Sequence, residues 1–235
     1  MGTATNPLLL TPAEIEALLL SLKVSLVAIC WAFPFALLAA LALAHRSFPG
    51  KTLVEGMLTL PLVLPPVVMG YILLVALGTR GGLGGWLYSQ FGIRFVFSWT
   101  GAAVAAGLIT FPLQLRAIRL ALEAVDRGLG QAAATLGAGP LDRFWNVILP
   151  LALPGVVAGA ITAFANSLGE FGAIITFVSN IPGETRTLPL AIYSALETPG
   201  GEAQAARLTI LAIVLALAGV GLAELAQRRA RAMLS

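Results

Sequence analysis

The stretch EAVDRGLGQAAATLGAGPLDRFWNVILP, residues 123–150, organises this chain, because it is a polar segment between two long apolar runs. The first half places five apolar side chains on one helical face: Val125, Leu129, Ala132, Ala133 and Leu136. Gly137 and Gly139 interrupt this pattern, and Pro140 follows where a first helical turn tolerates proline. Helical spacing then resumes at Leu141, Phe144, Trp145 and Ile148. The segment predicts two short amphipathic helices joined by a hinge, with apolar faces that need a partner.

The composition indicates a membrane protein. Hydrophobic residues make up 58% of the chain, charged residues only 11%, and the mean hydropathy is +0.93, whereas soluble domains are roughly 25% charged. Five runs approach the ~20 apolar residues that a membrane-spanning helix needs: 17–44, 53–77, 96–115, 151–178 and 205–226. We therefore expect an all-α fold, a polytopic transmembrane helical bundle that forms a single domain over residues 1–235. The first run is too long for the core of a signal peptide, so we expect it to remain in the mature protein.

Two of the expected spans contain residues that break a regular helix. Pro61, Pro65 and Pro66 lie in the second span, where each removes a backbone donor and favours a kink. The kink either serves packing alone or bends a helix that lines a route through the membrane. The fourth run would be about 42 Å long as one helix, against an apolar core of ~30 Å. Gly169 and Gly172 predict a break near its end.

The fourth span also carries small residues at every fourth position, namely Gly155, Gly159, Ala163 and Ser167. A small-residue face of this kind allows two helices to approach closely. It fits either contact between two copies of the chain or packing within one copy, and the pattern alone leaves both open.

The inventory of catalytic groups excludes most enzyme classes. Cys30 is the only cysteine and lies in an apolar run, so one chain has neither a disulfide nor a cysteine metal cluster. His45 is the only histidine, and both aspartates, Asp126 and Asp142, belong to residues 123–150. A membrane hydrolase or metalloenzyme needs more than this. We expect no enzymatic activity, no catalytic residue, no metal site and no cofactor.

Polar residues and glycines inside the spans are the candidates for a transport route or gate: Thr110, Gln114, Thr162, Asn166, Ser167, Gly169, Glu170 and Gly172. Hydroxyl groups in a span also bond back to carbonyls of their own helix, so lining and packing both remain open. For Glu170 the alternatives are hydrogen bonds from backbone near the glycines, pairing with Lys23, Arg186 or Arg207, or simple reach to the lipid headgroups.

Residues 123–150 resemble the cytoplasmic loop of ABC importer permeases, which reads E-A-A, three residues, G, nine residues, I-x-L-P. Gln131, Ala132 and Ala133 are followed by Gly137 at the family's spacing, and the motif ends in Val147, Ile148, Leu149 and Pro150. Gln131 replaces the acidic residue and removes its charge, and Val147 replaces isoleucine. Further strings resemble the molybdate permeases in particular: LSLKVS (20–25), LPLVLPPVVMGY (60–71), RAIRLALEAVD (116–126) and SLGEFGAIITFVSNIPGETRTLPLAIYS (167–194).

The resemblance implies a permease subunit that moves molybdate into the cell by ATP-driven alternating access. The implied partners are a second copy of the chain, two cytoplasmic ABC ATPase subunits and an extracytoplasmic oxyanion-binding protein. Residues 123–150 would be the ATPase-coupling loop, whose candidate residues are Glu123, Gln131, Ala132, Ala133, Gly137, Val147, Leu149 and Pro150. Sulfate and tungstate are the alternative substrates, since both are tetrahedral dianions like molybdate.

The distribution of basic residues predicts the orientation in the membrane. With the coupling loop in the cytoplasm, five spans place the N-terminus outside and the C-terminus inside the cytoplasmic (inner) membrane. The inside segments then carry nine basic residues: Arg46, Lys51, Arg116, Arg119, Arg127, Arg143, Arg228, Arg229 and Arg231. The outside segments carry three, Arg80, Arg94 and Arg186, while Lys23 and Arg207 lie near span boundaries. Such a bias is typical of membrane proteins, and it explains a sequence pI of about 9.5 without nucleic acid as a partner.

Two other classes of membrane protein are less consistent with the sequence. An ion-coupled secondary transporter needs titratable groups inside the membrane, and only Glu170 and Lys23 qualify. No inverted repeat is evident either. A membrane scaffold would have no use for a long loop with transporter spacing.

Overall fold

The computed structural model describes residues 10–45 and 48–232, and within these ranges it contains helices and no strand. Four helices are long and apolar enough to cross a membrane, and a bent pair adds a fifth crossing if it counts as one. The predicted all-α bundle of about five spans is confirmed. Arg46, one of the basic residues in the charge comparison, lies outside the described residues. The α-helices are α1 (Pro12–His45), α2 (Lys51–Val63), α3 (Pro66–Leu77), α4 (Gly82–Phe91), α5 (Trp99–Glu123), α6 (Arg127–Thr135), α7 (Pro140–Arg143), α8 (Leu149–Leu168), α9 (Gly172–Val178), α10 (Leu188–Glu197) and α11 (Glu202–Ala232).

Helix α1 begins earlier than the apolar run predicted, because a capping box starts it. The backbone N–H of Thr11 donates to Oε2 of Glu14 at 2.7 Å, and the backbone N–H of Glu14 donates to Oγ1 of Thr11 at 3.3 Å. Pro12 then occupies the first turn, where its missing N–H costs nothing. Glu14 is buried, and its Oε1 also accepts from Nη2 of Arg207 at 2.9 Å. This ion pair joins the first turn of α1 to α11.

The second span is bent by 110° between α2 and α3. Pro61 lies inside α2 without ending it, whereas Leu64 and Pro65 are extended and form a corner. Pro66 then begins α3 at a position that needs no backbone donor. The expected bend is present, and two adjacent prolines explain why it is sharp.

The second helix predicted within residues 123–150 is not a separate helix. Pro140–Leu168 forms one continuous element that includes α7, the π-helical turn Phe144–Ile148 and α8. Within it, Pro150 has no N–H to donate, and its ring crowds the carbonyl of Asn146. The wider π turn, in which Leu149 N–H bonds to the carbonyl of Phe144, takes up this conflict and lets the helix continue.

The predicted break in the fourth run is confirmed. Helix α8 ends at Leu168 with Gly169 as its C-cap, and α9 begins again at Gly172. The start of α9 lies against the corner between α2 and α3, because a Cβ on Gly172 would lie 2.9 Å from Cβ of Pro66. The two interrupted spans therefore meet at their breaks.

Helix α5 is the centre of the bundle and packs against α1 and α8. On the α1 side, Nε1 of Trp31 donates to the carbonyl of Ala103 at 3.1 Å. A Cβ on Gly107 would lie 2.6 Å from the same indole ring, so glycine is needed for this contact. The polar atom of a large aromatic side chain is thus satisfied at the helix contact.

The small-residue face of α8 packs against α5 within the same chain. A Cβ on Gly155 would lie 2.7 Å from Cβ of Ala121, and one on Gly159 would lie 2.2 Å from Cβ of Ala117. Of the two alternatives that the sequence left open, the structure shows packing within one copy at these two glycines.

Candidate functional site

The amphipathic segment between α5 and α8 has well-defined helix ends. Oδ1 of Asp126 caps α6 by accepting from the N–H of Gly128 at 2.7 Å. At the other end, Ala138 N–H bonds to the carbonyl of Ala133 and Gly137 N–H bonds to that of Ala134, both at 3.0 Å. These two bonds form a Schellman motif. Gly137 has φ +91°, as expected for the residue at the turn.

Large apolar side chains of this segment are exposed on both sides of the Gly137 turn. We call them the loop surface: Leu129, Leu136, Leu141 and Trp145. Leu136 is 89% exposed and Leu141 is 75% exposed. Apolar patches left uncovered in this way mark interaction sites. The loop surface therefore has the character of a protein interface.

The other predicted coupling residues surround this surface or lie at its base. Gln131 and Ala132 are exposed on α6, whereas Ala133 is half-buried. Val147 and Leu149 are half-buried and Pro150 is exposed, where the π turn passes into α8.

A cavity of about 330 Å³ lies between the end of α5, α6 and the π turn. Carboxylates of Glu123 and Asp126, the amide of Gln131 and the guanidinium of Arg143 line it. Nε of Arg143 is buried and has no hydrogen-bond partner among the described residues. The cavity thus combines both signs of charge at the base of the loop surface.

Glu123, the last residue of α5, belongs to a network of two ion pairs, only one of which has a local signal in the sequence. Nε of Arg119 donates to Oε1 of Glu123 at 2.8 Å, and Nη1 of Arg119 contacts Oε1 of Glu55 on α2. The Arg119–Glu123 pair has helical i, i+4 spacing and was visible in the sequence. The pair to Glu55 joins residues far apart in the chain, and no local pattern indicates it.

The predicted route residues do not form one hydrogen-bonded cluster. Oγ1 of Thr110 donates to the carbonyl of Ala106 at 2.8 Å, and Oγ1 of Thr162 donates to that of Ala158 at 2.9 Å. Both hydroxyl groups therefore bond back to their own helices. Asn166 and Gly169 are exposed along α8 and at its end.

Gln114 and Ser167 are buried members of the route set, as Thr110 is. Gln114 is 0% exposed, and neither its Oε1 nor its Nε2 has a partner in the described part of the chain. Oγ of Ser167 donates to Oγ of Ser25 at 3.1 Å and joins α8 to α1. Leaving a buried amide unpaired costs about 1–3 kcal/mol, so Gln114 is the polar group in α5 that packing alone explains least.

Glu170 lies at the break between α8 and α9 and is only 8% exposed. Its Oε1 accepts from the backbone N–H of Ala173 at 2.9 Å. Of the alternatives, the hydrogen bond from backbone near the glycines is the one present, and the buried side chain exposes little surface for contact with lipid headgroups. The carboxylate satisfies a free donor at the start of α9.

The alternative of an ion pair for Glu170 is not present, because all three basic candidates contact other groups. Arg207 pairs with Glu14, and Nε of Arg186 donates to Oδ1 of Asn180 at 2.9 Å. Nζ of Lys23 lies 3.6 Å from the centroid of the Trp99 ring, a cation–π contact. The Thr11–Glu14 capping box was a sequence signal for one end of the Glu14–Arg207 pair, but the other end had none.

The sequence profile of a protein family, the binding-protein-dependent transport system inner membrane component, matches residues 32–232. The chain belongs to this family. A molybdenum transport system permease protein of Escherichia coli K12 is 56% identical over 95% of this chain and 98% of that protein. A sulfate transport system permease protein of Synechococcus elongatus is 36% identical over 77% of this chain and 63% of that protein.

Solved structures agree with this membership at the level of the fold. A bacterial alginate ABC transporter has a chain that matches 94% of this one and 81% of its own length, with a TM-score of 0.75 and 20% identity. As a member of the transport system family, the chain is a membrane permease component with several transmembrane helices. The resemblance to ABC importer permeases is confirmed.

Proposed function

We propose that this chain is the permease subunit of an ATP-driven importer whose substrate is molybdate. The observation that carries the proposal is 56% identity over 95% of the chain to a molybdenum transport permease, against 36% over 77% to a sulfate permease. The permease performs no covalent chemistry in this role. A separate ATPase hydrolyses ATP, and tungstate and sulfate are the alternative substrates.

The proposed partners follow from the surfaces of the chain and its family. The loop surface takes a cytoplasmic ATPase subunit, because it exposes leucine and tryptophan side chains on ordered helices. Five or fewer spans are few for enclosing a gated route, so two copies would form the route along a twofold axis. An extracytoplasmic binding protein would deliver the oxyanion. The complete assembly would contain two permeases and two ATPases.

Within this assembly the route residues keep separate proposed roles. Gln114 is the donor we favour for contact with the oxyanion after the helices move apart, because its enclosed amide is otherwise unpaired. Thr110, Thr162, Asn166 and Ser167 would offer further weak polar contacts, which suit an ion that must also leave. Glu170 would act at a gate, since its negative charge repels a dianion and its hydrogen bond stabilises the break between α8 and α9.

Reconstitution in proteoliposomes tests the function. The permease, its ATPase and its binding protein should together take up radiolabelled molybdate only when ATP is present, and excess unlabelled sulfate should compete weakly. Uptake of sulfate with no effect of molybdate would assign the alternative substrate. Uptake driven by an ion gradient without ATP would contradict the importer class.

Thiol labelling tests the proposed orientation, with the N-terminus outside and the C-terminus in the cytoplasm. In a Cys30→Ala background, Ser89→Cys and Glu184→Cys should react with an impermeant maleimide on intact cells, because both side chains are exposed on segments placed outside. Asp142→Cys, exposed at the start of the α7 turn, should react only after permeabilisation. Labelling of Asp142→Cys in intact cells would reverse the orientation.

A Glu170→Gln variant tests the gate. We expect ATP hydrolysis without binding protein to rise about fivefold, since an amide accepts a backbone hydrogen bond about 1 kcal/mol less strongly than a carboxylate. Glu184→Gln is the matched control, because Glu184 is an exposed glutamate between α9 and α10. This variant should hydrolyse ATP at the wild-type rate. Equal basal hydrolysis in both variants would remove Glu170 from the gate.

A further inference from the structure

Arg119 lies at the point where three parts of the protein meet. It belongs to the last turns of α5, its guanidinium contacts Glu55 on α2, and it donates to Glu123 where the amphipathic loop begins. The Arg119 side chain is 26% exposed, so the network is partly shielded from water. One guanidinium therefore binds two carboxylates, one on α2 and one at the start of the amphipathic loop.

Helix α2 packs on the outside of α5, where half-buried Leu58 contacts the core. None of its residues is buried. At its beginning, Nζ of Lys51 donates to the carbonyl of Leu43 at 2.6 Å. Within the described residues, Glu55 is the one α2 side chain that forms an ion pair. The other end of α2 is the corner at Pro65, where the chain bends by 110°. Helix α2 is thus a peripheral helix on α5, with a corner at one end and polar contacts towards the other.

The second carboxylate moves with the loop. Glu123 ends α5, and Asp126 caps α6 shortly after it, with a turn in which Val125 N–H bonds to the carbonyl of Leu122 at 3.4 Å. A displacement of α6 acts on Glu123 through this short connection. Glu123 and Glu55 bind the same guanidinium. A shift of Glu123 therefore moves the Arg119 side chain, and with it the contact to Glu55 on α2.

We propose that Arg119 is a positioning residue that transmits movement of the loop surface to α2, through the shared ion pairs with Glu123 and Glu55. Helix α2 then turns about the corner at Pro65 in step with α6. This inference rests on the proposed function, in which an ATPase moves the loop surface. It adds a transmission element outside the loop: without the Glu55 contact, the ATPase still binds and hydrolyses ATP, but α2 follows it less closely.

The Glu55→Gln variant tests the inference in the reconstituted complex with ATPase and binding protein. The readout is the number of molybdate ions transported per ATP hydrolysed, together with co-purification of the ATPase. We expect this ratio to fall about fivefold, the factor that 1 kcal/mol represents at 25 °C, while ATPase recovery and hydrolysis stay at wild-type levels. Glu55→Asp, which keeps the charge, should restore most of the ratio.

Glu224→Gln is the matched control, because it removes the partner of Arg228 in an exposed pair on α11 that joins no second helix. The wild-type ratio is expected for this variant. A wild-type ratio in Glu55→Gln would overturn the inference and leave the proposed function intact, as would loss of ATPase binding in that variant or an equal loss in Glu55→Asp. A wild-type complex that hydrolyses ATP but moves no molybdate would instead contradict the proposed function.

Discussion

Replacing Gly159 with leucine should prevent the permease from accumulating as a folded protein. A single Cβ at this position would lie 2.2 Å from Cβ of Ala117 and 3.6 Å from its Cα. Both positions are on long helices, so neither backbone has room to retreat without separating α5 from α8. Overpacking in a core costs about 1–3 kcal/mol, and a leucine here forces far more volume into the contact than one methyl group.

The measurement is the amount of monodisperse protein recovered from membranes in mild detergent, with the midpoint of thermal unfolding. We expect recovery of Gly159→Leu to fall at least about tenfold below wild type. Recovery of Gly159→Ala should lie between those of the wild type and Gly159→Leu. Gly221→Leu is the control, since a Cβ on Gly221 of α11 meets no atom within 4 Å. Recovery of Gly159→Leu equal to that of Gly221→Leu would refute the packing of α8 on α5.

The second large effect is expected at Gly137, where Gly137→Val should separate the permease from its ATPase without unfolding it. Gly137 has φ +91°, a backbone conformation that a β-branched residue strongly disfavours. A Cβ there meets no atom of more distant residues within 4 Å, so the cost is local backbone strain and not a clash with the rest of the protein. Valine should open the Schellman turn and change the angle between Leu136 and Leu141, the two most exposed leucines of the loop surface.

Co-purification of the ATPase and ATP-dependent uptake measure this effect, and both should fall more than about tenfold, as for a loss of about 1.4 kcal/mol or more. Gly139→Val is the closest control, because Gly139 is exposed in the same turn but has φ −66° and open space around it. Gly137→Asn should recover part of the activity, since asparagine tolerates the left-handed conformation. Normal uptake in Gly137→Val would disprove the role of the turn.

Local patterns in the sequence account for the parts of the fold that were predicted. The apolar face that includes Leu129, the turn at Gly137 and the break between Gly169 and Gly172 each depend on residues within a few positions of one another. Periodicity and glycine or proline chemistry report such features directly. The same reasoning found the bend in the second span, because Pro65 and Pro66 are adjacent.

Features that depend on distant residues were not predictable in the same way. Glu14 and Arg207, or Glu55 and Arg119, come together only when the bundle has formed, and one sequence gives no signal for such pairs. The missing ion pair of Glu170 has the same origin, because its three candidate partners are each closer to another group. The continuity of Pro140–Leu168 was missed for a different reason. A π turn changes the number of residues per helical turn locally. A search for a fixed helical period therefore places the end of a helix at the π turn, although the helix continues.

The π turn at Phe144–Ile148 also determines how α7 is rotated relative to α8 about their common axis. Each residue added to an α-helix turns everything beyond it by about 100°, so a π turn, which accommodates one extra residue, rotates the preceding α7 about the axis of α8. The direction in which Leu141 points around the axis of α8 is therefore determined by the π turn. The turn at Gly137 sets the angle between the two sides of the loop surface. The side that carries Leu141 cannot rotate independently of α8, because Pro140–Leu168 is one continuous element.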